Sequence, residues 1–325
     1  MRTRQGEPAT PPDSGHDEAP DLALEGDWRT TSYVGGRGWW RRYDDVVGMN
    51  ARNAHIARAN PPASIRLVTD KAATKDALTA HDVPVAPTIA LIRDGRWARR
   101  LGPEDLPDQW VMKPNQGLGG NGIMIAAGRD GSGWVKPSGR ALRVLDVKDH
   151  LRFLLDGEFS GRSRDAALLE PLLVSNPDFG RLAHQGLPDV RVICTGDQPR
   201  LAMARLPTSE SDGRANLHQK AIGAAVDLET GRVVAARVGR RRVTHHPDTG
   251  EEVVGATLPY WQEILRAASR CSAATGLEYV GADIVIDADR GPLVLEVNAR
   301  PGLQIQNVSA GGIRALLDRS IERSS

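Results

Sequence analysis

Apolar and polar residues alternate along this chain with two periods, one helical and one of strand type. Over residues 46–60 the spacing of Val47, Ala51, Ala54, Ile56 and Ala57 predicts an amphipathic helix. Asn60-Pro61-Pro62 ends it, because a residue before proline is pushed out of the helical region. A second helix is expected from Thr69-Asp70 to Ala80, with Asp70 as its cap and Val83-Pro84-Val85-Ala86-Pro87 closing it into an extended segment. Beyond it, short runs of β character dominate, at residues 88–93, 110–113, 123–126, 167–170, 190–195 and 200–204. Helical patterns interrupt them at 148–155 and 258–275. Two more strands, 279–287 and 293–298, precede a last helix from about Gly312. The mixture predicts an α+β fold with no internal repeat.

Ahead of these elements the pattern breaks down. Residues 1–25 are rich in Pro, Asp, Glu and Gly, so ordering them costs entropy that no core offsets, and a disordered tail is expected. The following stretch carries Trp28, Tyr33, Trp39, Trp40 and Tyr43, five of the chain's aromatic residues (seven Trp, four Tyr and three Phe). Such a cluster needs a surface, which is the body of the protein, a protein partner or a membrane interface. Residues 1–45 therefore read as an extension and 46–70 as a short helical segment.

Composition narrows the function classes. At 325 residues the chain has room for about two domains. Forty-two Lys and Arg against forty-one Asp and Glu leave a net charge of +1, so no global field draws nucleic acid or anionic lipid. The arginines at 237, 240, 241 and 242 form a charge run with no interleaved aromatics, which reads as a solvated turn. Two cysteines, Cys194 and Cys271, are too few for a disulfide framework or a structural zinc site, and are expected to fill core space. With no apolar run of ~18–20 residues and no signal-peptide core at the start, a cytoplasmic protein without membrane insertion is expected.

The most informative segment is QWVMKPNQGLGGNGIMIA, where Gly117, Gly119 and Gly122 satisfy G-x-G-x-x-G and Gly120 adds a fourth glycine. A dinucleotide fold requires a helix directly after such a loop, yet Ile123-Met124-Ile125 continues as strand. A Walker A loop requires Gly-Lys-Ser/Thr after the glycines, and here Lys113 precedes them. Asp178-Phe179-Gly180 imitates a kinase signature, but no H-R-D precedes it and no A-P-E follows. What remains is a strand–loop–strand unit whose glycines let backbone N–H groups approach phosphate oxygens, with the Lys113 charge at a strand end.

A second constellation lies in YVGADIVIDADRGPLVLEVNARPG, two strands around a turn at 288–291. Pairing Asp287 with Pro292 puts Asp283 opposite Glu296, with Asn298 on the same face two residues on. Facing carboxylates repel unless a proton or cation lies between them, and this all-oxygen set suits Mg2+ or Mn2+.

Taken in order, the motifs GMNARNAHIARANP, TDKAATKDAL, WVMKPNQGLGGNGI, LLEPLL, DVRVICTGDQPRLAMARLP, GRANLHQKAIGAAVDLETG and VGADIVIDADRGPLVLEVNARPGLQIQN resemble the ATP-grasp carboxylate–amine ligases, above all the RimK-like group called alpha-L-glutamate ligase-like proteins. The resemblance spans roughly residues 46–310. It implies an ATP-grasp fold, two α+β subdomains at 71–170 and 171–325 that clamp ATP, after a reduced N-terminal helical segment. Lys71 and Lys113 then resemble the lysines that hold ATP phosphates under a flap of Gln116, Gly117, Gly119, Gly120 and Gly122. Glu170 with the backbone of Leu172 and Leu173 resembles the hinge that reads adenine, and Asp178 is a candidate for the ribose. Asp283, Glu296 and Asn298 fall on the positions that bind two magnesium ions. Arg191 and Arg205 resemble arginines near the transferred phosphoryl group. Asn216 and His218 match a segment lining the same cleft, and Arg300 is placed to meet a substrate carboxylate. The activity implied is amide formation through an acyl phosphate, with a small molecule, peptide or protein supplying carboxylate and amine. Rival readings are a phosphotransferase using the same grasp and a nucleotide-binding regulatory protein. Homo-oligomerisation stays open.

Overall fold

In the computed structural model, which describes residues 47–308 apart from 118, 119, 132, 162, 163 and 212, three helices come first. The N-terminal aromatic segment and the helix expected from Gly312 lie outside the described residues. Helix α1 (Met49–Ala59) stops where Asn60 turns extended, as the Pro-Pro pair requires. A helix that the sequence reading passed over, α2 (Pro62–Thr69), begins on the second proline, whose fixed φ and missing N–H suit a first turn. Helix α3 (Lys71–Thr79) starts at Asp70, whose side chain accepts from Ala73 N as expected of a cap.

Strand β1 (Ala90–Ile92), helix α4 (Gly95–Arg100), β2 (Trp110–Pro114) and β3 (Met124–Ala126) follow. Then come β4 (Gly128–Asp130), β5 (Gly133–Val135), β6 (Ala141–Leu142), α5 (Val144–Leu155) and β7 (Ala167–Glu170). Antiparallel pairing orders four of these strands as β1-β7-β2-β3, and β4-β5-β6 form a small sheet of two- and three-residue strands that no periodicity could announce. Their core is built on Trp110, Met112, Trp134, Leu142, Leu151, Leu154 and Leu169, with the Trp110 and Trp134 rings edge-on at 5.6 Å.

After the one-turn helix α6 (Pro177–Gly180) the chain builds β8 (Asp189–Thr195), β9 (Gln198–Leu206), β10 (Ile222–Val226), β11 (Val233–Val238) and β12 (Arg241–Arg242). Helix α7 (Trp261–Thr275), β13 (Tyr279–Asp287), β14 (Gly291–Asn298) and the short α8 (Ile305–Val308) complete it. The seven strands form one antiparallel sheet in the order β12-β11-β10-β9-β8-β13-β14. Helix α7 packs Trp261, Ile264, Ala267, Ala268 and Cys271 onto it, and Leu78 of α3, Val83 and Cys194 join the same core. Both cysteines are free and buried there, as expected of core fillers. The arginine run belongs to the sheet edge, where Arg237 donates to Asn307 O and Arg240 O.

One register expectation needs correction. Asp287 pairs with Gly291 and Ile286 with Pro292, one residue tighter than predicted, because Gly291 at φ +72° closes a three-residue loop. A bulge between Asp283 and Ile284, with Leu295 as the extra residue, then takes the slip back and leaves Asp283 opposite Glu296. Asn60, which the sequence offered only as a helix end, ties the helical segment to this hairpin. Its amide donates to Tyr279 O at 2.8 Å and to Ala299 O at 3.3 Å, and accepts from Tyr279 N at 2.8 Å.

Candidate nucleotide and carboxylate site

Antiparallel pairing of β2 with β7 sets Val111 opposite Glu170 and Lys113 opposite Leu168, so Lys113, two residues on from Val111, shares a face of the sheet with Glu170. Lys113 Nζ donates to Glu170 Oε2 at 2.7 Å. Lys75 Nζ donates to the other oxygen, Oε1. The Asp70 cap starts α3 so that Lys71 lies at its first position, where Lys71 Nζ donates to Gly117 O at 2.6 Å. Lys71 N donates to the Asn115 backbone O and Ala72 N to the Asn115 side-chain Oδ1, which fixes α3 against the end of β2. Burial lowers the Lys71 ammonium from its ordinary pKa, with Glu296 pulling the other way and Lys113 adding to the fall. Lys71 thus feels charges from both sheets.

The glycine segment joins β2 to β3 as strand–loop–strand, with Trp110 opposite Ala126 and Met112 opposite Met124. Gly119 lies outside the described residues. Gly120 and Gly122 sit at φ +76° and +75°, in the left-handed region. Gln116 N donates to Asp165 Oδ2 at 3.1 Å, while Gln116 Oε1 is buried without a hydrogen-bond partner among the described residues. A Cβ on Gly122 would stand 2.5 Å from Phe159 Cγ. Gly131, also left-handed at φ +57°, has nothing within 4 Å of its Cβ position. Gly131→Ala is therefore expected to cost only the backbone penalty of about 1–2 kcal/mol. Gly122→Ala is expected to cost more, because Phe159 must also move. Thermal unfolding of the two variants side by side checks this, and equal losses would refute the contact.

The third group is a row of charges across β8, β13 and β14, where Arg191 pairs with Asp283 and Asp283 with Glu296. Arg191 Nε and Nη2 donate to Asp283 Oδ1 and Oδ2 at 2.7 and 2.6 Å. Arg205 Nη2 reaches Asp283 Oδ2 at 2.9 Å while its guanidinium also grips Asp189, its cross-strand partner on β8. Asn298 Nδ2 donates to Asp283 Oδ2 at 3.2 Å. Burial alone would raise the Asp283 carboxyl, but Arg191 and Arg205 outweigh it and hold it at about 2. Asp189 goes the opposite way, driven up to about 6 by burial against the pull of Arg205, with Asp283 adding repulsion. Burial works against the Arg205 charge too, yet Asp189 and Asp283 raise its pKa. The counter-charge expected at Asp283 is thus supplied by two arginines. Glu296 is half-buried and makes no hydrogen bond or ion pair among the described residues.

The other expected site residues are less tightly joined. Leu172 and Leu173 follow Glu170 half-buried. Asp178 is exposed in α6, its N–H donating to Asn176 Oδ1, while Phe179 beside it is core, so the kinase-like triplet is a helix turn. Asn216 Oδ1 accepts from His218 N, and the exposed His218 ring contacts Gln304 Nε2 at 3.0 Å, which joins this segment to the chain after β14. Arg300 is exposed, and the next carbonyl, Pro301 O, accepts from Arg52 Nη1 at 3.0 Å. Lys75, Asp189 and Asp165 escaped the sequence reading. The signals were a second lysine four residues after Lys71 and an acid two before Arg191.

Two lysines at the glycine loop, Lys71 on Gly117 O and Lys113 just before it, with Gly120 and Gly122 in the left-handed region, are chemistry that fits nucleotide phosphates. The oxygen-only set of Glu296, Asn298 and Asp283 fits a hard cation, Glu296 being the member no arginine occupies. Among the described residues no group of three or more His, Cys, Asp or Glu forms a metal cluster, and no helix is long and apolar enough to cross a membrane.

The family described as sugar-transfer associated ATP-grasp matches residues 50–322. A probable alpha-L-glutamate ligase of Stenotrophomonas maltophilia (strain K279a) is 29% identical over 198 residues, covering 61% of this chain and 46% of that protein. A ribosomal protein bS6–L-glutamate ligase of Escherichia coli O81 (strain ED1a) is 32% identical over 136 residues, 42% of this chain and 34% of that protein. The chain spans about half the length of the first curated relatives it matches. Among solved structures, a D-alanine–D-alanine ligase from Bacillus anthracis aligns with a TM-score of 0.46 at 16% identity, over 87% of this chain and 76% of that one. The ATP-grasp ligase PsnB, complexed with a minimal precursor, aligns with a TM-score of 0.44 at 19% identity, over 82% and 64%.

Proposed function

Because the chain belongs to the sugar-transfer associated ATP-grasp family, we propose that it is an ATP-dependent carboxylate–amine ligase. The observation that carries this reading is that Lys71 meets the glycine loop at Gly117 O and Lys113, just before that loop, meets Glu170 at the end of β7, while β13 and β14 pair Asp283 with Glu296. Residues 71–170 and 171–325 are the two halves of the clamp in this reading.

A substrate carboxylate oxygen attacks the terminal phosphorus of ATP. The new O–P bond gives an acyl phosphate as the bond to the ADP oxygen breaks. An amine then attacks the acyl carbon, phosphate leaves with the C–O pair, and the amine loses a proton. Lys71 and Lys113 hold phosphate oxygens, and the glycine loop supplies backbone N–H groups around them. Arg191 and Arg205 place fixed positive charge beside the row that ends in Glu296. Magnesium or manganese, when bound at Glu296, Asn298 and Asp283, supplies neutralisation of phosphate charge. Glutamate and a peptide or protein are the substrates favoured by the names of the curated relatives.

The test is ADP release from Mg-ATP in pools of amino acids and short peptides, with hydroxylamine present to trap acyl phosphate. A hydroxamate, identified by mass, is the expected product. ADP release with phosphate appearing on a hydroxyl instead would make the protein a phosphotransferase. ATP binding without turnover in any pool would favour the regulatory reading.

A further inference from the structure

Glu170 ends β7 with both carboxylate oxygens occupied, Oε2 by Lys113 and Oε1 by Lys75. Lys75 lies one turn beyond Lys71 on α3, is 7% exposed, and also donates to Thr88 Oγ1 at 3.1 Å. Lysine is rarely buried this far without a partner that demands it. Burial lowers its ammonium from the ordinary value, while Glu170 pulls it back up and Lys113 repels it. One carboxylate therefore serves two ammonium groups, and the second has no role in the site described above.

The charge balance assigns it one. If Glu170 faced Lys113 alone, the two would neutralise each other, and Lys113 could turn to a phosphate only by leaving a buried carboxylate unpaired, which is costly. With Lys75 fixed on the other oxygen, Glu170 is already matched and Lys113 brings surplus positive charge. We propose that Lys75 is a positioning residue that neutralises Glu170 so that the Lys113 charge is available to nucleotide phosphates. The inference rests on the nucleotide-binding reading of Lys113. A purely structural Lys75, stapling α3 to β7, would affect stability and every ligand alike.

The experiment is calorimetric titration of the full chain with MgADP and, separately, with adenosine, in wild type, Lys75→Met, Lys75→Arg and the double variant Lys75→Met/Glu170→Gln, with unfolding curves for each. Lys75→Met is expected to weaken MgADP by about tenfold or more, the scale of a lost charge-assisted contact, with adenosine unchanged. Lys75→Arg, which keeps the charge, is expected within about threefold of wild type. The double variant is expected to bind MgADP more tightly than Lys75→Met alone, because a neutral glutamine no longer retains Lys113. Should Lys75→Met fail to fold, Lys75→Gln, which keeps a donor toward Glu170 and Thr88, takes its place with the same expectations. Wild-type MgADP affinity in the single variant, equal weakening of adenosine, or simple additivity in the double variant overturns the proposal. A wild-type protein that binds no MgADP refutes the nucleotide reading itself.

Discussion

Asp283→Ala is expected to lower stability by about 3–5 kcal/mol, the range for breaking a buried ion pair from one side. The Arg191 and Arg205 side chains are 13% and 12% exposed, and both direct donors at this one carboxylate. Arg205 keeps Asp189 after the substitution, but Arg191 loses the only acceptor it has among the described residues and is left half-solvated against β13. For a domain of this size the loss corresponds to a fall in Tm on the order of 10 °C. The cause can be separated from lost volume. Asp283→Asn keeps the shape and one acceptor oxygen, so it is expected to lose less than alanine. Adding Arg191→Met to Asp283→Ala is expected to recover part of the loss, since the double variant no longer buries an unmatched charge. Urea and thermal unfolding of the four proteins measure this. A Tm for Asp283→Ala within about 2 °C of wild type would refute the role of Asp283 as the shared counter-ion.

That network shows where the sequence was legible and where it was not. The positions of Lys71, Lys113 and Glu170 at a helix start or strand end were readable from Asp70, the glycine loop and Pro171, whereas the roles expected of Lys71 and Glu170 came from the family resemblance, because alone they read as a surface helix lysine and a strand end. The facing of Asp283 and Glu296 was also readable, although for an incomplete reason. The predicted four-residue loop is one residue too long, and only the bulge at Leu295 brings the two carboxylates back into line. Periodicity cannot foresee a bulge, because it counts residues and not hydrogen bonds. Nor can it say that β8 lies beside β13, a pairing that joins Arg191 to Asp283 across 92 positions of sequence. For that reason the two arginines that meet Asp283 were not foreseen from the hairpin alone. Lys75 was missed for a different reason, since a lysine at helical spacing reads as solvent-exposed until the strand that covers it is known.

Glu296→Gln is expected to do the reverse of Asp283→Ala, leaving the fold intact and removing turnover by at least ~100-fold, the scale of a lost transition-state contact. Glu296 sits in the same row as Asp283, yet no arginine or amide claims it among the described residues. Glutamine has nearly the same shape, so stability should change by no more than ~0.5 kcal/mol. What disappears is a negative charge that favours the charged form of Lys71, and one oxygen ligand suited to a divalent cation. Lys113→Ala, on the opposite sheet, is expected to lose turnover on the same ~100-fold scale by removing a phosphate partner. Hydroxamate formation under saturating Mg-ATP, read beside unfolding curves, distinguishes the cases. Near-wild-type turnover in both variants would remove these residues from the chemistry, whereas a fall in turnover matched by a fall in stability would make Glu296 part of the scaffold. Asp283, gripped by two arginines, and Glu296, which no arginine meets among the described residues, should therefore differ most in what their loss does to stability.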